Sequence, residues 1–170
     1  MDFSLIIKLK NALQKIINYM VIVFFAIIVI VINFQIFFRY ILKQPLFWSM
    51  EVAQLSFLYL AIFGGSLALL NNEYTKVEFF INIVPLKVAK IFDIIVSVLI
   101  FIFFIIAGYN CKELIFKAKI TANITPALSI PMNYVYRMLQ IGCYVFAFFA
   151  LTKILVSIFP KKIKEFFNNP

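Results

Sequence analysis

Between its charged residues the chain runs through stretches too long and too apolar for the core of a soluble domain. Ile16 to Phe38 carries no charge, and at about 1.5 Å per residue it crosses a hydrocarbon core of about 30 Å as a helix. Val52 to Asn72 is a second such run, and Ile94 to Cys111 is a third that extends at both ends. Met132 to Phe159 is a fourth, with Arg137 and Lys153 near enough to its ends to snorkel toward an interface. The expected fold is an all-α integral membrane protein with four transmembrane helices, at about 16–41, 49–72, 86–117 and 131–159, in a single membrane domain. With 65% hydrophobic and 14% charged residues, the composition lies far from that of a soluble domain and leaves no room for one.

Short connections favour antiparallel neighbours in one helical unit. Residues 1–15 have apolar positions at Leu5, Leu9 and Leu13 with lysines on other faces. They read either as an amphipathic interfacial helix on the cytoplasmic leaflet or as an extension of helix one. Lysines cluster in this segment (Lys8, Lys10, Lys15), in the second connection (Lys76, Lys87, Lys90) and in the tail 160–170 (Lys161, Lys162, Lys164). The opposite side holds Arg39 and Lys43, then Lys112, Lys117 and Lys119, so the bias places both termini in the cytoplasm. The first apolar run is too long for a signal peptide, and no cleaved leader is expected. The net charge of +9 points to anionic membrane lipids as partners and not to nucleic acid.

The chemistry of an enzyme is missing. There is no histidine, which removes haem ligation of the four-helix cytochrome kind, the usual general base and the commonest metal ligand. Cys111 and Cys143 form no C-x-x-C pair and read as buried structural thiols. No phosphate loop is present. No cofactor, metal or catalytic residue is expected. A self-sufficient carrier is also disfavoured, because it places a carboxylate or a broken helix near the bilayer midplane. Here Asp2, Glu51, Glu73, Glu78, Asp93, Glu113 and Glu165 all lie in tails, connections or helix ends, and the polar Asn33, Gln35 and Gln54 lie near one edge.

Three stretches carry more information. In the first connection, Arg39-Tyr40, Pro45, Trp48 and Glu51 gather scarce polar groups between two apolar runs. Pro45 disfavours helix before it, Trp48 suits an interface, Glu51 suits the positive end of helix two, and a hairpin would bring Arg39 toward Glu51. In helix two, Ala61 with Gly65 and Gly64 with Ala68 are small residues four apart, suited to close approach by a helix of this chain or of a partner. Before helix four, ANITPALSIPMNYVY contains Pro126 and Pro131, which make a rigid corner.

These stretches resemble the small, Q-type (DctQ-like) membrane subunit of tripartite ATP-independent periplasmic (TRAP) transporters, from helix one to the end of helix four. The arginine-tyrosine, proline, tryptophan and acidic positions of the family meet Arg39, Tyr40, Pro45, Trp48 and Glu51, with Met50 where a first glutamate is usual. GGSLALLNNEYTKVEF matches the second motif, with Leu70, Asn71, Tyr74 and Glu78 as departures. The third motif, S/T-P-A-L-x-I-P-M-x-x-V-Y, is met by Thr125 to Met132 with Val135 and Tyr136.

The resemblance implies a scaffold in a bacterial inner membrane, partnered by a large multi-helix membrane subunit and by an extracytoplasmic solute-binding protein. Together they would take up an organic anion, a carboxylate or sialic-acid-like molecule, on a sodium gradient. Arg39, Pro45, Trp48, Glu51, Gly64, Gly65, Ala68, Glu78, Pro126 and Pro131 are then structural or interface residues, and Lys43, Lys117 and Lys119 are docking candidates for the binding protein. A self-contained small carrier or channel, and an assembly subunit of another membrane complex, remain the alternatives.

Overall fold

A computed structural model describes residues 3–71 and 86–158. These form four helices: α1 (Phe3–Tyr40), α2 (Phe47–Asn71), α3 (Leu86–Ile120) and α4 (Met132–Ile158). All four are long and apolar enough to cross a membrane, as the uncharged runs predict. The described part of α1 begins at Phe3 and is unbroken over 38 residues, about 57 Å at the helical rise. The amphipathic start is therefore an extension of helix one and does not form a separate helix.

The main packings among the described residues are α1 on α2, α2 on α4, and α4 on α3. Helices α2 and α4 are the inner pair, with α1 and α3 on the flanks. Burial follows that order: 6% and 11% of the most apolar windows of α1 and α3 are buried, against 28% and 33% for α2 and α4. The flanking helices turn rows of large apolar side chains outward, among them Ile22, Phe25, Ile30, Leu99, Phe103 and Ile106. In lipid such exposure carries no hydrophobic penalty, so close packing must hold the helices together.

Two clusters provide that packing. Ile17, Phe63, Leu67 and Phe149 join α1, α2 and α4, while Leu69, Phe146 and Ala150 join α2 and α4, with Phe104 of α3 against them. Phe104 stacks on Phe146 at 3.8 Å between ring centroids. A β-carbon on Gly65 would stand 3.1 Å from the Phe146 ring, and one on Gly142 would stand 2.6 Å from Ile62 Cγ2. Glycine at these two positions lets α2 and α4 come together.

Polar groups within the spans are satisfied locally, as a medium without water requires. The Ser66 hydroxyl donates to Phe63 O, that of Ser97 to Asp93 O and that of Thr152 to Phe149 O, while the Asn33 amide donates to Val29 O. Between helices, the Tyr59 hydroxyl donates to Val135 O at 3.3 Å, and Gln140 Nε2 donates to Gly108 O at 3.0 Å.

Candidate functional site: the proline corner and its carboxylate

The corner begins where α3 stops. Asn123 N–H donates to Ala118 O at 3.3 Å around a left-handed Ala122, φ 47°, the closure that commonly ends a helix. The chain then doubles back. Ile124 and Pro131 form an antiparallel bridge, Thr125 N–H donates to Ile130 O at 2.9 Å, and Met132 N–H donates to Asn123 O at 2.9 Å. Thr125 and Ile130 are the residues that precede the two prolines, which hold them away from the helical region. The buried Thr125 also accepts Ile130 N–H on its hydroxyl at 3.0 Å. Ser129, left-handed at φ 54°, turns the loop and donates to Thr125 O.

This closed loop leaves two consecutive amides, those of Ala127 and Leu128, pointing the same way. Glu51 fills them: its Oε2 accepts from Ala127 N–H at 2.7 Å and from Leu128 N–H at 3.1 Å. Consecutive amides of this kind form an anion-receiving concavity, and here the anion is a side chain of α2. The other oxygen, Oε1, is buried with no hydrogen-bond partner. The expected approach of Arg39 to Glu51 is not made. The Arg39 guanidinium sits 5.6 Å from the centroid of the Tyr40 ring, on the flanking helix, whereas Glu51 turns from α2 toward the connection that leads into α4. Nor does Glu51 lie in the first turn of α2, which starts at Phe47 and has no acidic residue there. The backbone amides of the corner, and not the helix end, receive its charge.

The other expected positions fall into place around this corner or away from it. Lys43 is left-handed, φ 54°, and Gln44 N–H closes α1 onto Phe38 O. Pro45 lies in the non-helical stretch before α2, and Trp48 is 42% exposed at that helix's start. The small residues of α2 divide: Gly65 faces Phe146, while a β-carbon on Gly64 would meet nothing within 4 Å. Ala61 is exposed and Ala68 partly so. Lys117 lies 3.8 Å from Glu113, both well exposed, and Lys119 is exposed one turn from Ile115. Glu78 and the second half of the second motif lie outside the described residues.

Cys111 and Cys143 are both buried and lie close enough to act on each other across α3 and α4. A signal for that pairing was available, because the two cysteines are equidistant in sequence from Ala127, the centre of the corner. Gly108 and Gly142 were likewise passed over. Among the described residues, no group of acidic or cysteine side chains could hold a metal ion.

The pattern described as "Tripartite ATP-independent periplasmic transporters, DctQ component" matches residues 28–159. The sialic acid TRAP transporter small permease protein SiaQ of Vibrio cholerae is 28% identical over 147 residues, covering 82% of this chain and 83% of that one. The sialic acid TRAP transporter permease protein SiaT of Haemophilus influenzae is 36% identical over 68 residues, 40% of this chain. That match spans only about a tenth of SiaT, 11% of its length.

Proposed function

Because this chain belongs to the DctQ-component family of tripartite ATP-independent periplasmic transporters, we propose that it acts as the stationary scaffold of such a transporter's permease. It is a transport component and not an enzyme, a multi-pass protein of the inner membrane. The scaffold role is supported above all by the Glu51 bond to the corner, which ties α2 to the connection between α3 and α4 by charge-assisted hydrogen bonds. A part that must resist sliding needs such a tie, because helix packing in lipid has no hydrophobic drive behind it.

The partner in this reading is a large membrane subunit. The likeness to SiaT supports it, since a segment similar to this chain occurs inside a much longer permease protein. The outward small face of Ala61, Gly64 and Ala68 is the proposed contact, and Glu78 in the following connection belongs to the same interface. An extracytoplasmic solute-binding protein would dock at Lys43, Lys117 and Lys119, with both termini on the cytoplasmic side. A sialic-acid-like carboxylate is the proposed substrate class, by similarity to SiaQ, and a sodium gradient is the proposed driving force. Detergent co-purification of the tagged chain from its native membrane, with mass identification of what accompanies it, tests the reading. A stoichiometric large multi-helix partner is expected, and a chain recovered alone or only with copies of itself would overturn it.

A further inference from the structure

A groove of about 470 Å³ runs between α3 and α4 near the corner, with Lys112 and Lys119 on one wall and Arg137 on the other. The rest of its lining is mainly apolar, including Ile115, Phe116 and Ile141. Lys112, Ile115, Phe116 and Lys119 share one face of α3 by helical spacing. No carboxylate lines the groove, and among the described residues none pairs with these three cations. Glu113, the acid nearest in sequence, is engaged with Lys117 and is 77% exposed. Lys112 lies 5.5 Å from the centroid of the Tyr109 ring, a contact that steadies the ammonium without neutralising it.

From this arrangement we infer that the groove holds the headgroup phosphate of an anionic phospholipid, with an acyl chain against Ile115, Phe116 and Ile141. Three like charges along one groove call for an anion, and the planar fork of arginine suits phosphate oxygens. The mixed cationic and apolar lining argues for lipid. Lys112 lies within the apolar span Ile91–Ile120, about 12 Å along the axis from the end of α3. A membrane lipid reaches that level with a phosphate and a hydrocarbon tail together. The carboxylates of a water-soluble protein bring no hydrocarbon to the walls formed by Ile115, Phe116 and Ile141, and free phosphate gains nothing from them.

The full chain, purified with whatever membrane partner accompanies it, is placed in nanodiscs holding equal fractions of phosphatidylglycerol and phosphatidylethanolamine. Retained lipid is then read by native mass spectrometry. The expected result is a several-fold preference for phosphatidylglycerol, falling to parity in the variant Lys112→Gln, Lys119→Gln, Arg137→Gln and unchanged in Lys43→Gln. Equal retention of the two lipids by the unmodified chain, or an undiminished preference in the triple variant, would overturn the inference. So would a triple variant that loses only its response to a soluble binding protein. A photoactivatable phosphatidylglycerol on the unmodified chain gives a reading independent of how the variant folds. Cross-links should map to residues 109–120 and 137–141, and labelling confined elsewhere would refute the site.

Discussion

The Glu51 carboxylate and the Ala127 amide meet at 2.7 Å across 76 positions of sequence, and that bond joins the start of α2 to the proline corner. Removing the carboxylate leaves two amides that α2 no longer satisfies. Glu51→Ala is expected to lower the thermal midpoint of the detergent-solubilised protein by roughly 5 °C, the scale of one lost anchoring contact in a chain of this size. Glu51→Gln, which keeps one acceptor oxygen, should fall between. The corner should also become more sensitive to limited proteolysis. In the assembled transporter, substrate affinity should change less than subunit recovery, and a variant that assembles normally but binds substrate poorly would contradict the scaffold role.

The glycines of α2 and α4 are not equivalent. A methyl group at Gly142 would run into Ile62, so Gly142→Ala should cost about 1–3 kcal/mol through overpacking. Gly65→Leu should be worse, because the Phe146 ring already stands 3.1 Å from the position of a first carbon. Gly64→Ala should leave the isolated chain within about 0.5 kcal/mol of the parent. Thermal melts of the three variants in one detergent check the order. If the outward small face meets a partner helix, Gly64→Leu should reduce partner recovery while leaving the melt of the lone chain nearly unchanged.

Much of the fold was legible because membrane helices declare themselves by charge-free length, and the two prolines by what they forbid at Thr125 and Ile130. The purpose of the corner was less legible. Sequence proximity pointed Glu51 toward Arg39, whereas its real partners are backbone amides, which have no side-chain signature and converge only once the loop has closed. The same limit hid Gly142, whose role depends on Ile62 of another helix. Gly64 and Gly65 share a motif yet face opposite surroundings, because a helix turns about 100° between neighbours.

The adjacent thiols of Cys111 and Cys143 give a direct test of how α3 meets α4. Treating the intact membrane protein with a membrane-permeant oxidant should link them within one chain, oxidising two thiols to a disulfide as the oxidant takes up the electrons. Digestion and mass analysis should then find the two cysteine peptides joined, and Cys143→Ser should abolish the link. Cross-links formed only between separate chains would mean that the two helices pack in a different register.

The exposed lysines of the connections can be separated by what they face. Lys117 is already tied to Glu113 at 3.8 Å, with both side chains open to solvent, so its charge is partly answered and strongly screened. Lys43 sits in a left-handed turn between α1 and α2 with no carboxylate partner among the described residues. If an acidic binding protein docks on this end, Lys43→Glu should weaken its association severalfold, chiefly by slowing the on-rate, and the loss should shrink as salt is raised. Lys117→Glu should act in the same direction, with added repulsion from Glu113. Lys112→Gln, on the wall of the α3 and α4 groove, should leave that association unchanged. Surface-bound binding protein titrated at two ionic strengths separates these effects, and charge reversal at Lys43 and Lys117 together without any loss of affinity or uptake would move the docking surface elsewhere.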